Sequence, residues 1–216
     1  MGYELFDFST FPVLDSERLR MRELQPQDVN ALLNYFGNPE VVRFIGMQPI
    51  KTIEQANEWL RWMGGFFAAR DGLRWGIVLR DEPETFIGSA GLHSWNREAN
   101  YAEIGVDIAQ PFWGHGYATE ALLRLLDFGW QHMKLNRVEA DVVKGNVASM
   151  RMLTKLGFRQ EGVLRQRLRK GGKYYDVHMF SLLRSEFARQ QMIDAIQAEK
   201  DSEQPGSQAG AADAAG

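Results

Sequence analysis

The chain has 216 residues, 44% of them hydrophobic and 25% charged, an ordinary composition for one soluble globular domain with a sizeable core. A net charge of −3 supplies no basic field for nucleic acid or an anionic membrane, so neither is expected as a partner. The chain contains no cysteine, which excludes disulfides, thiol nucleophiles and Cys-ligated zinc and fits a reducing, cytoplasmic setting.

The start, "MGYELFDFSTFPVL", has no basic n-region or sustained apolar core, and Phe6 sits where a myristoylation signal needs Ser or Thr. Residues 1–13 read as an N-terminal extension and 14–190 as the folded domain. Arg18–Leu24, "RLRMREL", alternates apolar and charged residues as a half-buried strand does. "QPQDVNALLNYF" carries Pro26 and Asp28 as helix-start signals. "TIEQANEWLRWMGGFFAAR" reads as a second helix capped by Thr52, with Ile53, Ala56, Trp59, Leu60 and Met63 on one stripe. Strands are expected at 74–80, 85–95 and 101–109, the first two parted by the turn "DEPE".

A long helix then begins near Tyr117, its apolar face formed by Ala118, Ala121, Leu122, Leu125, Leu126, Gly129, Trp130 and Met133. A strand at 137–143 follows, then a helix opened by Asn146 and closed by Gly157. A hairpin turning at Gly171-Gly172 ends the regular part, with a further helix possible to about residue 199. From residue 200 the chain is small, polar and free of aromatics, which reads as disorder. The fold class is therefore α+β, a mixed α/β arrangement with a mostly antiparallel sheet flanked by helices.

"AQPFWGHGYATEAL" carries the chemistry. A helix N-terminus offers unpaired N–H groups and partial positive charge to an anion. Gly114 and Gly116 keep side chains out of the way and allow positive φ, so the loop reads as a diphosphate cradle or as a plain strand-to-helix connection. It is not a Walker loop, and Thr119 stands where a dinucleotide fingerprint needs its third glycine. Three strands in hairpin-like order also precede it, unlike a parallel dinucleotide-binding unit.

The same stretch resembles the coenzyme A loop of the GNAT acetyltransferases, Q/R-x-x-G-x-G/A. Trp113 stands at the Gln/Arg position, Gly116 at the glycine and Ala118 at the last position. The Trp form followed by "GYATEA" resembles the RimJ/RimL-type ribosomal-protein N-terminal acetyltransferases. "SERLRMRELQPQDVNALL", "FIGSAGLH", "AEIGVDI" and "NRVEADVVKGNVASMRMLTKLGF" agree, so the likeness runs from about Leu14 to Phe187.

The resemblance implies a GNAT fold, its sheet splayed after the strand at 101–109, with acetyl-CoA as co-substrate and no metal. The pantetheine arm is expected along the strand ending at Ile108. The pyrophosphate is expected on the N–H groups of Gly114, His115, Gly116, Tyr117, Ala118 and Thr119, next to Trp113. The His115 side chain reads equally as a phosphate contact or as a solvent-facing group. The implied reaction is direct acetyl transfer to a primary amine, foremost a protein or peptide N-terminus. The alternatives are a small amine such as a polyamine or antibiotic, and a non-catalytic acyl-CoA-binding module. A homodimer is left open.

Attack requires a neutral amine. At pH 7 an α-amine of pKa ~8 is roughly a tenth neutral, a lysine only about one part in 2,500, a gap of about 3 kcal/mol. Glu103 is the candidate base and Asp107, on the same strand face, its reserve; a surface carboxylate is the plainer reading of Glu103. Many family members use a Tyr as acid at a position occupied here by Leu153, which has no proton to give. The subgroup pattern offers Asn146 as a coenzyme contact and Ser149 as acid, although both can serve the helix start alone. The four histidines show no metal-ligand spacing. Arg165, Arg167 and Arg169 alternate along one strand, chiefly as a solvated face, and Trp59, Trp62 and Trp75 are either core or walls of an acceptor cleft.

Overall fold

A computed structural model describes residues 6–194 and 196. Its centre is an eight-stranded sheet built from β1 (Leu14–Asp15), β2 (Leu19–Glu23), β3 (Leu73–Leu79), β4 (Phe86–Asn96), β5 (Tyr101–Ile108), β6 (Arg137–Val143), β7 (Arg159–Lys170) and β8 (Lys173–Leu183). The spatial order is β1-β2-β3-β4-β5-β6-β8-β7. Every neighbouring pair is antiparallel except β5 and β6. The helices are α1 (Val29–Phe36), α2 (Pro39–Val42), α3 (Ile53–Ala68), α4 (Tyr117–Gln131) and α5 (Val147–Lys155).

This is the mixed, mostly antiparallel architecture expected from the sequence. The strand alternation and the 3.6-residue periodicity locate the long elements because each buries one face. In α4 the buried set is Ala121, Leu122, Leu125, Leu126, Phe128, Gly129 and Trp130. Phe128 widens the expected stripe by packing edge-on against Trp75. Two elements have no sequence signal of their own. β1 is two residues long, and α2 is a single turn whose Asn38 side chain accepts from the Glu40 N–H.

β5 and β6 are parallel and so need a crossover, which α4 provides. Their ladder covers only Tyr101–Glu103 against Arg137–Glu139. Beyond Glu103 the two strands have no further register, and the sheet splays there as expected. One main core lies under α4, joining Leu125 and Leu126 to Trp75, Ile87, Leu92, Ile104 and Val138. A second lies under α1 and α3, around Leu32, Phe36, Ala56 and Met63.

The N-terminal segment packs on the first core. Phe6 meets Phe128, Phe8 and Phe11 meet Phe67, and Pro12 accepts the Trp75 indole N–H at 2.7 Å. Residues 189–194 are helical, and the expected tail from 200 lies outside the described residues. The β7–β8 hairpin turns at Gly171-Gly172, both at positive φ, as the sequence predicts. Arg165, Arg167 and Arg169 are all exposed along β7, as a solvated face requires. A register shift between Leu164 and Leu168 puts Gln166 at φ 55°, with its N–H donated to Asp176.

Candidate active site

The loop after β5 folds back on its own strand. Gln110–Phe112 form a single 3-10 turn, and the Trp113 indole N–H then donates to the Ile108 carbonyl at 2.7 Å. Gly114 and Gly116 follow at φ 79° and 77°, a region that costs a residue with a Cβ about 1–2 kcal/mol. A Cβ on Gly114 would meet nothing within 4 Å, so the space before the loop is open. His115 Nδ1 lies 2.9 Å from the Trp113 carbonyl, which makes it the donor, and its ring stacks on Tyr117.

Gly116 is the N-cap of α4, and no side chain caps it among the described residues. The contrast within the chain is informative. Thr52 caps α3 and Asn146 caps α5 through their side chains. The first turn of α4 does hold an acid, Glu120, but its carboxylate is turned toward β2. There it accepts from the Ser16 hydroxyl, the Arg18 N–H and the Arg18 guanidinium at 2.7–2.8 Å. Arg18 also donates to the His115 carbonyl and lies over the Tyr117 ring, bracing the loop from outside. The uncapped N–H groups and the helix dipole therefore face open space.

Beside this mouth runs a free strand edge. Ala109 N–H bonds Ile87 O, which sets the alternation on β5 so that Asp107 and Gly105 face β4 with their backbone groups. The backbone groups of Ile104, Val106 and Ile108 then point to the splayed side, where β6 has no register with them; of these the Ile108 carbonyl already accepts the Trp113 indole N–H. Asn146 and Ser149 sit across the gap, at the start of α5 just past the end of β6. Both helix mouths thus open at the carboxyl ends of the two parallel strands, where α/β sheets form ligand crevices. Asn146 Oδ1 accepts the Ser149 N–H at 3.2 Å, whereas the Ser149 hydroxyl bonds nothing among the described residues. Leu153 is 2% exposed and belongs to the core.

Glu103 lies on β5 with its side chain 38% exposed. Burial, then the nearby carboxylates of Asp141 and Glu139, raise its pKa above the ordinary glutamate value, against a smaller opposing pull from Arg167. Asp107, the reserve candidate, is engaged. Its carboxylate pairs with Arg74 and accepts from the Tyr35 hydroxyl at 2.6 Å and the Ser89 hydroxyl at 3.0 Å. Two groups near Glu103 carried no sequence signal. His93 is its register partner on β4, and Arg74 reaches across from β3. Desolvation, with help from Arg74, lowers the His93 pKa to about 4, so its imidazole is neutral at pH 7.

An aromatic row approaches this point along α3. Trp59, Trp62 and Phe66 contact in sequence, and Phe66 stacks on His93. Trp75 is wholly core, while Trp62 is 53% exposed. On the opposite bank, Lys170 of the hairpin donates to the Val42 carbonyl at 2.5 Å, tying β7 to the end of α2. Among the described residues no group of three or more His, Asp or Glu side chains gathers as a metal site, and no helix is long and apolar enough to cross a membrane.

A splayed sheet, an uncapped glycine-mouthed helix and a free strand edge define a class of coenzyme-A-dependent acyltransferase. The family model described as "Acetyltransferase (GNAT) domain" matches residues 18–159, and the chain belongs to that family. It is an acetyl-CoA-dependent acetyltransferase. It is similar to the uncharacterized N-acetyltransferase YoaA of Bacillus subtilis, 36% identical over 174 residues, 81% of this chain and 98% of that one. The spermidine N(1)-acetyltransferase of Vibrio cholerae is 23% identical over 172 residues, 80% of this chain and 96% of that one. Mycobacterium smegmatis RimJ in complex with CoA-disulfide shares the fold with a TM-score of 0.74 at 22% identity, covering 86% of this chain and 93% of that chain.

Proposed function

We propose that the chain acetylates the α-amine of a peptide or protein N-terminus, in the manner of the RimJ/RimL-type enzymes. The observation that carries this reading is Glu103: a half-buried carboxylate of raised pKa at the point where β5 and β6 part. A carboxylate is a weak base for an amine of pKa ~10.4 but is adequate for one near ~8.

The residues divide the work as follows. The N–H groups from Gly114 to Thr119 hold the pyrophosphate of acetyl-CoA, with Trp113 fixing the loop and Asn146 bordering the same crevice. The edge from Ile104 to the Ile108 N–H pairs with the pantetheine amides as an added strand does, the Ile108 carbonyl being shared with Trp113. A β5 N–H on that edge faces the oxygen that gains charge during transfer. Glu103 takes the amine proton, directly or through one water. Ser149 gives its hydroxyl proton to the departing sulfur. The donor supplies an activated acetyl thioester, and no covalent acyl-enzyme is needed.

Polyamine acetylation is the second reading. Glu103, Glu139 and Asp141 concentrate negative charge beside the crevice, which draws cationic amines. Thiol release from acetyl-CoA, measured across N-terminal peptides, polyamines and aminoglycosides, separates the readings. Peptides are expected to give the highest kcat/KM; a spermidine rate exceeding every peptide rate overturns the proposal.

A further inference from the structure

Arg74 is 8% exposed, a charged residue laid into the sheet. Its side chain has a prepared lane. Arg74, Gly91 and Gly105 stand in one row across β3, β4 and β5, all on one face. A Cβ on Gly91 would come 3.1 Å from Arg74 Cγ, and one on Gly105 would sit 3.7 Å from both Arg74 Nη1 and His93 Nε2. The absent Gly91 side chain thus lets the Arg74 stem pass, and the open position at Gly105 leaves space before the guanidinium.

Two of its three nitrogens are accounted for. Nε donates to the Ser89 hydroxyl at 3.0 Å, and Nη2 to the Asp107 carboxylate. Nη1 donates to no group among the described residues. It faces the space over Gly105, next to His93 and one side-chain position along β5 from Glu103. Nη1 is not among the buried side-chain atoms left without a partner, so it keeps access to solvent and to an acceptor that enters this space.

We propose that Arg74 Nη1 binds an oxygen on the carbon next to the amine-bearing carbon of the acceptor, which makes α-aminoacyl groups the substrate class. The source is a peptide carbonyl or the carboxylate of a free amino acid. This assignment rests on the peptide-amine reading above and specifies what recognises it. The reach agrees. Two residues along a strand span about 6.8 Å. An amine and its neighbouring carbonyl oxygen, about 3 Å apart, with a hydrogen bond of about 2.9 Å at each end, reach about 8.8 Å when straight, enough to bridge that span along a bent path. Spermidine has no oxygen to offer. The neighbouring positive charge also favours the neutral form of the amine, the form that attacks.

The experiment compares acetyl transfer to an alanyl peptide amide, free alanine, propylamine and spermidine in wild type, Gly105→Ala and Arg74→Gln. Arg74→Gln leaves Asp107 without its cation and risks the fold. Gly105→Ala keeps the whole polar network and only fills the space before Nη1. Each amine is compared with itself across variants, so its basicity cancels. Both variants are expected to lower the peptide-to-propylamine ratio of kcat/KM about 10- to 100-fold, chiefly through the peptide KM, the factor a hydrogen bond to a charged group supplies. The free-alanine arm decides whether a carboxylate serves as well as a carbonyl. An unchanged ratio in Gly105→Ala, with peptides still acetylated, overturns this assignment alone. Transfer to spermidine but to no peptide overturns it together with the peptide reading.

Discussion

His93 and Glu103 face each other across the β4–β5 ladder, with His93 Nδ1 3.9 Å from Glu103 Oε2. The separation is too long for a hydrogen bond, and the imidazole is uncharged at pH 7, so the two do not form an ion pair. Glu103 therefore keeps its lone pairs unshared with His93, as the proposed base role requires. Glu103→Gln is expected to lower kcat/KM for peptides about 100-fold at pH 7. The wild-type pH–rate profile should show an acid limb above pH 4.5, because the folded pKa is raised, and the variant should lose that limb. An unchanged profile would assign the proton to a water relay instead.

Asn146 and Ser149 separate into two roles on inspection of their atoms. Asn146 Oδ1 accepts from the Ser149 backbone N–H and so serves the helix, while the Ser149 hydroxyl takes no part in that bond. Ser149→Ala therefore leaves the cap intact. It is expected to lower kcat about 100-fold or more, the loss of a general acid, with little change in acetyl-CoA affinity. Asn146→Ala is expected to cost about 1 kcal/mol of stability through the lost cap. Coenzyme titration and urea unfolding on the two variants test this division; equal kcat in wild type and Ser149→Ala removes the acid role.

The parts of this site differ in how far the sequence reveals them, for physical reasons. The mouth of α4 is local: Trp113 to Thr119 are contiguous, and twin glycines before an apolar stripe need no distant partner to be read. Arg74 is different. Within "RWGIVLR" it looks like the polar flank of a strand, and only the register of three strands shows it lying over Gly91 and Gly105. The raised pKa of Glu103 likewise depends on burial first and then on Asp141 and Glu139, brought near by a parallel pairing that spans a whole helix. The bulge in β7 also has no local signal, since its Gln166 N–H donates to Asp176 on the partner strand.

Gly116 stands at φ 77° at the head of a helix with no side-chain cap. Valine there is strained, since a β-branched residue avoids this region, and its side chain covers the N–H groups the pyrophosphate needs. Gly116→Val is expected to weaken acetyl-CoA binding more than about 100-fold, the loss of several hydrogen bonds to a charged group. Gly116→Asn tolerates the backbone better and should fold more stably while still obstructing the phosphates. Calorimetric titration with CoA checks both; near-normal affinity in the valine variant would remove the cradle from the mechanism.

The neutral state of His93 has a consequence for acid stability. Its pKa is 6.5 in the unfolded chain and about 4 in the folded one, so folding opposes its protonation. The lowered folded value gives stability that is present above pH 6.5 and is lost as pH falls toward 4, up to about 3 kcal/mol. Glu103 acts in the opposite sense. Its folded pKa is raised, so ionising it while folded costs stability, and that cost disappears as pH falls. The two partly cancel in the wild type. His93→Phe, which keeps an aromatic ring against Phe66, should unfold with a flatter pH dependence between 6.5 and 4. Glu103→Gln should steepen it, by removing the compensating term. Urea unfolding from pH 7.5 to 4.5 reads both slopes, and parallel curves for wild type and His93→Phe would mean that the imidazole charges freely inside the folded protein.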